Sequence, residues 1–237
     1  MQIAKGEEIV VATKAGEALT KLFSTSLALR NPKNCERILK LNFAHGDTNS
    51  LGTLMELLRN EEVGTSAARI LSSIFTYTNS ENQAPICKAI EFLMMKLLKT
   101  SDMEAQEAII GLVAKAISTL STNDFEKIWT NKDIPREDVV KLLLDILKHA
   151  PTTTRSPCRR RYAIELVIVL LERDEGFVSL FINAHLGDEL NETLQNISDV
   201  ENFLLFSGGA GLVPHSEEME DLIEKALQIF NSSMSHK

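Results

Sequence analysis

Apolar residues recur along this chain with the spacing of amphipathic helices, whereas the alternation typical of strands does not recur. Proline and glycine interrupt this pattern, and the segments between interruptions have an ordinary helix length of about 8–20 residues. The interruptions lie at Asn31-Pro32, His45-Gly46, Pro85, Ile134-Pro135, Pro151, Pro157, Gly208–Gly211 and Pro214. The pattern predicts an all-α protein.

One arrangement of helices occurs three times. Each copy has a leucine-rich helix, a short polar break and a second helix rich in Ala, Ile and Leu, and the copies are Leu54–Phe75, Leu93–Ile117 and Leu142–Leu171. A shorter helix is predicted before each copy, at Lys33–Leu41, at Ala84–Ala89, and at Asp124–Trp129 with an added segment to Pro135. Because one neighbouring helix cannot cover all the apolar faces of a unit, stacked units are predicted to share a continuous core.

The leucine-rich helices contain "LMELL", "LMMKLL" and "LLLDIL", and the helices that follow contain "AARILSSIF", "AIIGLVAKA" and "AIELVIVLL". A further segment, "AGEALTKLF" at Ala15–Phe23, matches only the last helix of a unit. In these segments the chain resembles the armadillo repeat family over roughly residues 12–230. The resemblance implies units of three helices and about 40 residues, stacked into a right-handed α-solenoid. HEAT repeats, with two helices per unit, are an alternative register.

We therefore expect a single array over residues 1–237, with four to five units of which the first is incomplete. The approximate units are 12–30 (partial), 31–78, 80–120, 123–173 and 175–231. A bare solenoid end exposes apolar surface meant for a neighbouring repeat. The incomplete first unit therefore predicts a fragment of a longer array, a shortened isoform, or a protomer that covers this end by self-association.

The composition of the chain excludes some kinds of binding partner and cellular location. The net charge of −8 argues against general attraction to nucleic acid or to anionic membranes. No apolar run approaches the roughly 18–20 residues of a membrane span, so none is expected. The three cysteines Cys35, Cys87 and Cys158 are far apart, which is typical of reduced thiols. We therefore expect an intracellular protein, in the cytoplasm, the nucleus or both.

No motif for catalysis, cofactor binding or metal binding is found. The histidines are scattered, with no H-E-x-x-H, and "SGGAG" at 207–211 lacks the Gly-Lys-Ser/Thr end of a phosphate loop. We expect a protein that is not an enzyme and has no catalytic residue, cofactor or metal. The expected function is a scaffold that binds an extended segment of a protein or peptide partner along a concave groove. The alternative is a substrate-binding adaptor arm in ubiquitination, without a U-box of its own.

The resemblance also implies where a partner would bind. In the first full unit, Arg69 and Ser73 occupy the positions that the family uses for contact, and we expect both to be exposed on the concave face. Ile70, Leu71 and Ile74 are expected to be buried. The Trp–Asn pairs with which nuclear-import adaptors hold basic peptides are missing here and at the matching positions of the other units, which excludes that mode of recognition.

Three consecutive arginines, Arg159, Arg160 and Arg161, are further candidates for partner binding. Ser156-Pro157 predicts a helix start with serine as N-cap, which places the arginines in a first turn where the helix dipole disfavours cations. They are expected to be solvated or paired with Asp188 or Glu189, to meet an anionic partner, or to form a nuclear address. Phosphorylation at Thr152–Thr154 or Ser156 would add an internal anion beside them.

Overall fold

The structure, a computed structural model, describes residues 32–39, 50–61, 63–149, 156, 158–197 and 218–235. Within these ranges the regular secondary structure is entirely helical, which confirms the predicted all-α class. The helices are α1 Pro32–Leu39, α2 Ser50–Leu57, α3 Gly64–Tyr77, α4 Ser80–Lys88, α5 Ile90–Lys99, α6 Met103–Thr119, α7 Thr122–Ile128, α8 Arg136–Lys148, α9 Arg159–Arg173, α10 Glu175–Asn183, α11 Leu186–Gln195 and α12 Met219–Ser235. The segment Ala15–Phe23 and residues Thr152–Thr154 lie outside the described residues.

Local capping explains where several helices begin. The side chains of Asn79, Asp102, Ser121 and Asp174 each accept a hydrogen bond from a backbone N–H in the first turn of α4, α6, α7 and α10, respectively. Such caps satisfy N–H groups that have no partner within the helix. The short polar breaks in the sequence therefore contain the N-cap residues that start the next helix.

Each of the three predicted helix pairs is present, as α2 and α3, α5 and α6, and α8 and α9. The predicted interruption at Pro85 is wrong, because α4 continues through this residue from Ser80 to Lys88. Proline removes one hydrogen bond, to the carbonyl four residues earlier. Both Pro85 and Glu81 are exposed, so water can hydrate that carbonyl and the helix tolerates the loss.

The helices pack in two connected rows. In one row α3 contacts α6, α6 contacts α9, and α9 contacts α12; in the other, α5 contacts α8 and α8 contacts α11. The rows join where α5 packs on α6, α8 on α9 and α11 on α12. Buried apolar side chains from Cys35 to Phe230 form one cluster between them, and it includes Ile70, Leu71 and Ile74 as predicted. Each fully buried aliphatic side chain contributes about 1.5–3 kcal/mol.

An aromatic group packs the end of α7 against α10. The Trp129 ring meets the rings of Phe125 and Phe177 edge-on, at centroid distances of 5.6 and 4.7 Å. The guanidinium of Arg136 lies 5.7 Å from the Trp129 centroid and forms an ion pair of 2.9 Å with Asp174. Trp129 is thus a buried packing residue.

Gly111 of α6 lies directly against the Tyr162 ring of α9. A Cβ atom at this position would lie 2.9 Å from two carbons of the Tyr162 ring, nearer than side-chain atoms normally pack. Tyr162 is itself buried, so the ring cannot move into solvent. The absence of a side chain at Gly111 therefore sets how closely α6 and α9 approach each other.

We expect Gly111→Ala to lower the free energy of unfolding by about 1–3 kcal/mol, because overpacking forces the ring and the helices apart. Chemical denaturation measures the change. In a Tyr162→Leu background the same substitution should cost clearly less, since the colliding ring is gone. An equal cost in both backgrounds would contradict the contact between Gly111 and Tyr162.

Candidate partner-binding face

Polar side chains form a connected strip across α3, α6 and α9. Its members are Arg69, Ser72 and Thr76 on α3, Glu104 and Lys115 on α6, and Arg161 and Glu165 on α9; we name this set the polar strip. An ion pair of 3.5 Å joins Arg69 to Glu104, and another of 3.4 Å joins Arg161 to Glu165. These residues lie on the row of helices that the sequence predicts to line the concave face.

Lys115 lies at the centre of the polar strip. Its Nζ donates to the hydroxyl oxygens of Ser72 and Thr76, each at 3.1 Å, and so ties α6 to α3. Burial lowers the pKa of Lys115 to about 8, and the nearby charge of Glu165 partly opposes this shift. The half-buried lysine thus titrates slightly above neutral pH, and two hydroxyl groups hold its ammonium group.

Glu107 lies beneath the strip and is only 3% exposed. Its Oε2 accepts a hydrogen bond of 2.7 Å from the backbone N–H of Cys158, the residue that precedes α9. Burial raises the pKa of Glu107 to about 7; hydrogen bonds from the Cys158 and Arg159 backbone and the charge of Arg69 oppose the rise, whereas Glu104 adds to it. A carboxyl group of α6 therefore caps the N-terminus of α9 and titrates near neutrality.

This cap explains why α9 begins later than predicted. The helix starts at Arg159 with Cys158 as N-cap, so the predicted N-cap at Ser156 is wrong. Ser156 is 1% exposed, and its carbonyl accepts a hydrogen bond from the Arg159 N–H at 3.3 Å. The distant carboxyl of Glu107 replaces the local serine cap, and sequence patterns do not record such a contact.

The three arginines have different environments. Arg160 is 2% exposed, and its guanidinium donates to the carbonyl of Asn196 at 3.1 Å, at the C-terminus of α11. Arg161 is 7% exposed and pairs with Glu165 of its own helix. Arg159 is half-buried, and burial lowers its pKa against the opposing charges of Asp145 and Glu107.

The expected pairing of these arginines with Asp188 or Glu189 is therefore wrong. Glu189 instead pairs with Lys148 at 3.2 Å, and Asp188 lies 3.6 Å from His185 in its own helix. The prediction of a fully solvated cluster also fails for Arg160 and Arg161, because both side chains are buried. A role in partner binding stays a prediction, and Arg159 is the most accessible of the three.

The prediction that Ser73 and Arg69 are both exposed is wrong for Ser73 and holds only in part for Arg69. Ser73 is 0% exposed, and its hydroxyl donates to the Arg69 carbonyl of the same helix at 3.4 Å. This position faces the packed side of α3, where only a small side chain that satisfies its own polar group fits. The Arg69 side chain is 22% exposed and lies on the polar strip. The two residues therefore do not share an exposed face.

Neither of the buried thiols is activated for chemistry. Burial raises the pKa of Cys35 to about 11 and that of Cys158 to about 12, the latter reinforced by Glu107. A thiol must ionise to act as a nucleophile, so neither residue is suited to covalent catalysis. In the described ranges no group of three or more His, Cys, Asp or Glu side chains is arranged to hold a metal, and no helix has the length and apolarity to cross a bilayer.

Sequence reasoning missed Glu107 and Lys115. Both are charged residues of the helix that contains "AIIGLVAKA", whose other residues from Ala105 to Ile117 are buried. Lys115 is a lone charge in an apolar stretch, and this signal could have identified it, because burial of an ionised group requires a specific partner. Glu107 follows Glu104 and Gln106, a pattern typical of an ordinary polar helix start, so the sequence gives no such signal there. The groups that pair with Glu107 and Lys115 lie on neighbouring segments and are known only from the structure.

Comparison with known proteins identifies no family for this chain. No family model and no curated protein matches this chain. One solved structure, described as the crystal structure of an engineered protein from the Northeast Structural Genomics Consortium, matches over 93% of this chain and 90% of its own, with 17% identity and a TM-score of 0.47. Similarity at this level assigns no family and no function.

The titration of Glu107 predicts a specific pH dependence of stability. Its folded pKa lies above the ordinary value of 4.5, so the folded state holds the proton more tightly than the unfolded state. The associated stability is present below pH 4.5 and is lost as the pH rises to about 7, a change of roughly 3 kcal/mol. We expect Glu107→Gln to remove this loss and to gain stability relative to wild type as the pH rises.

Urea denaturation at several pH values measures the difference between the two proteins. Glu126→Gln, on an exposed glutamate of α7, is the matched control and should stay parallel to wild type. Parallel profiles for wild type and Glu107→Gln would contradict a buried carboxyl that titrates near neutrality.

Because Arg159 and Arg160 lie in different environments, we expect their substitution to lower the free energy of unfolding by different amounts. Arg160→Met should lower the unfolding free energy by about 1–3 kcal/mol, because the Asn196 carbonyl loses a buried donor. Arg159→Met should cost clearly less, since this side chain is half-buried. Thermal denaturation of both variants tests the assignment, and a larger loss for Arg159→Met would reverse it.

Proposed function

We propose that this chain is a non-enzymatic scaffold that binds an extended segment of a partner protein along the face formed by α3, α6, α9 and α12. The observation that carries the proposal is the polar strip, which crosses three consecutively packed helices. Side-chain contacts join α3 to α6 within it, and the charge of Glu165 on α9 acts on Lys115 of α6. An extended peptide that lies across α3, α6 and α9 would contact polar and charged side chains on each of these helices. Such a surface favours recognition of a chain over recognition of a compact ligand.

The chemistry of the strip supports a peptide as the ligand. Part-exposed cations and carboxylates alternate along it, with Arg69 next to Glu104 and Lys115 next to Glu165. The hydroxyl of Thr76, which is exposed on α3, adds a group that both donates and accepts hydrogen bonds. Together these groups match the alternating N–H and C=O groups of an extended backbone, and the charges provide selectivity for its side chains.

The same proposal includes the armadillo-like arrangement, a right-handed solenoid in which α3, α6, α9 and α12 are the last helices of successive units. The consecutive contacts within this row, and within the row of α5, α8 and α11, support it. The arrangement explains why the face is long and repetitive. Residues Arg69, Thr76, Lys115, Arg159 and Glu165 are the side chains that we assign to partner contact.

Photo-crosslinking tests the face directly. A photoreactive amino acid at Thr76, which is exposed on α3, should capture a partner from cells that express the protein. The same amino acid at Glu126, which is exposed on α7, should not capture it. Mass spectrometry identifies the captured protein and the crosslinked peptide. Equal capture at both positions, or capture at Glu126 alone, would contradict the proposal.

A variant series then links capture to the polar strip. Arg69→Ala with Lys115→Met should reduce capture at Thr76, and Lys132→Ala, an exposed lysine between α7 and α8, should not. Thermal denaturation confirms that each variant is folded. If the captured protein is a ubiquitin-conjugating enzyme or a ubiquitin ligase, the alternative of a substrate-binding adaptor arm replaces the general scaffold.

A further inference from the structure

A second surface lies beside α8, on the row of helices opposite the polar strip. It is a groove of about 740 Å³, and none of its lining residues belongs to α3, α6, α9 or α12. Its apolar lining comes from three elements and consists of Leu98 on α5, Val140, Leu142 and Leu144 on α8, and Leu180 and Ala184 in and after α10. Val140 and Leu144 are buried at the floor, whereas Leu98, Leu142 and Leu180 are part-exposed at the sides.

The charges around the groove are unevenly distributed. Three carboxylates, Glu137, Asp138 and Asp145, and two lysines, Lys141 and Lys148, line it. Lys148 is already paired with Glu189 at 3.2 Å, so it adds little net charge. Among the described residues Glu137 and Asp138 form no ion pair, and both are exposed at the N-terminal end of α8. With Lys148 paired, the three carboxylates outnumber the one remaining lysine, Lys141, so the groove has an apolar middle and a net negative charge.

We propose that this groove binds an amphipathic helix of a partner protein, with leucine-like side chains seated between α5 and α10 and lysine or arginine side chains next to Glu137 and Asp138. The surface is separate from the polar strip, so the proposal does not depend on the function assigned to that strip. It gives the chain two binding faces of different chemistry, one for an extended segment and one for a helix.

The groove is long enough to hold a helix. It runs along α8 from Glu137 to Lys148, a backbone rise of about 17 Å that a helical segment of about 12 residues would span. A helix of that length presents apolar side chains at three- and four-residue intervals on one face, and such a face suits a groove with apolar sides. Burial of the part-exposed Leu98, Leu142 and Leu180 supplies the driving force, and Glu137 and Asp138 set the direction in which the helix lies.

The probe for this site is a synthetic amphipathic peptide of about 12 residues, built from leucine and lysine at helical spacing. Fluorescence anisotropy measures its affinity for the full chain, and methyl NMR of leucines locates it. We expect saturable binding with shifts at Leu98, Leu142 and Leu180. Glu137→Gln with Asp138→Asn should weaken binding by about tenfold, the loss expected for removing two complementary charges.

The controls separate this groove from general attraction to an acidic protein. Glu126→Gln with Glu81→Gln removes two exposed carboxylates elsewhere and should leave the affinity unchanged. A leucine–glutamate peptide of the same pattern should not bind. Equal weakening by both double variants, binding of the leucine–glutamate peptide, or methyl shifts confined to leucines outside the groove would overturn the proposal. Thermal denaturation checks that the variants remain folded.

Discussion

Several helix ends in this protein are satisfied by ionic side chains that come from other helices. Glu107 of α6 accepts from the N–H of Cys158, the N-cap of α9, and Arg160 of α9 donates to the C-terminus of α11. Arg173 of α9 donates to the carbonyls of Ile117 and Leu120 at the end of α6, and Lys96 of α5 donates to the Leu58 carbonyl just after α2. Acids meet N-termini and bases meet C-termini, as the helix dipole requires.

These contacts fix how the helices are arranged relative to each other. Apolar packing holds helices together but tolerates small rotations and shifts, whereas a charged hydrogen bond to a helix end does not. Gly64 shows how closely the helices approach at one of these contacts. A Cβ atom there would lie 2.6 Å from the Lys96 Nζ and 2.9 Å from the Leu58 carbonyl oxygen. The positions of the polar strip and of the groove beside α8 both depend on this fixed arrangement.

Sequence reasoning succeeded where the signal is local. The period of apolar residues predicted the helices, and the burial of Ile70, Leu71 and Ile74 followed from it. It was wrong where a distant group decides the outcome. The start of α9 depends on Glu107, which is 51 residues before Cys158 along the chain. Arg160 and Ser73 appeared suited to a surface because residue type alone does not show which neighbouring helix covers them.

The caps that join different helices also bear on how such a chain changes during evolution. In an array whose units cap their own helices, a unit can be duplicated or deleted and its neighbours remain intact. Here the removal of α9 would leave the end of α6 without Arg173 and the end of α11 without Arg160, at two separate junctions. Each of these helices is thus bound to particular neighbours, and the chain is expected to diverge by substitution and not by gain, loss or exchange of whole helices.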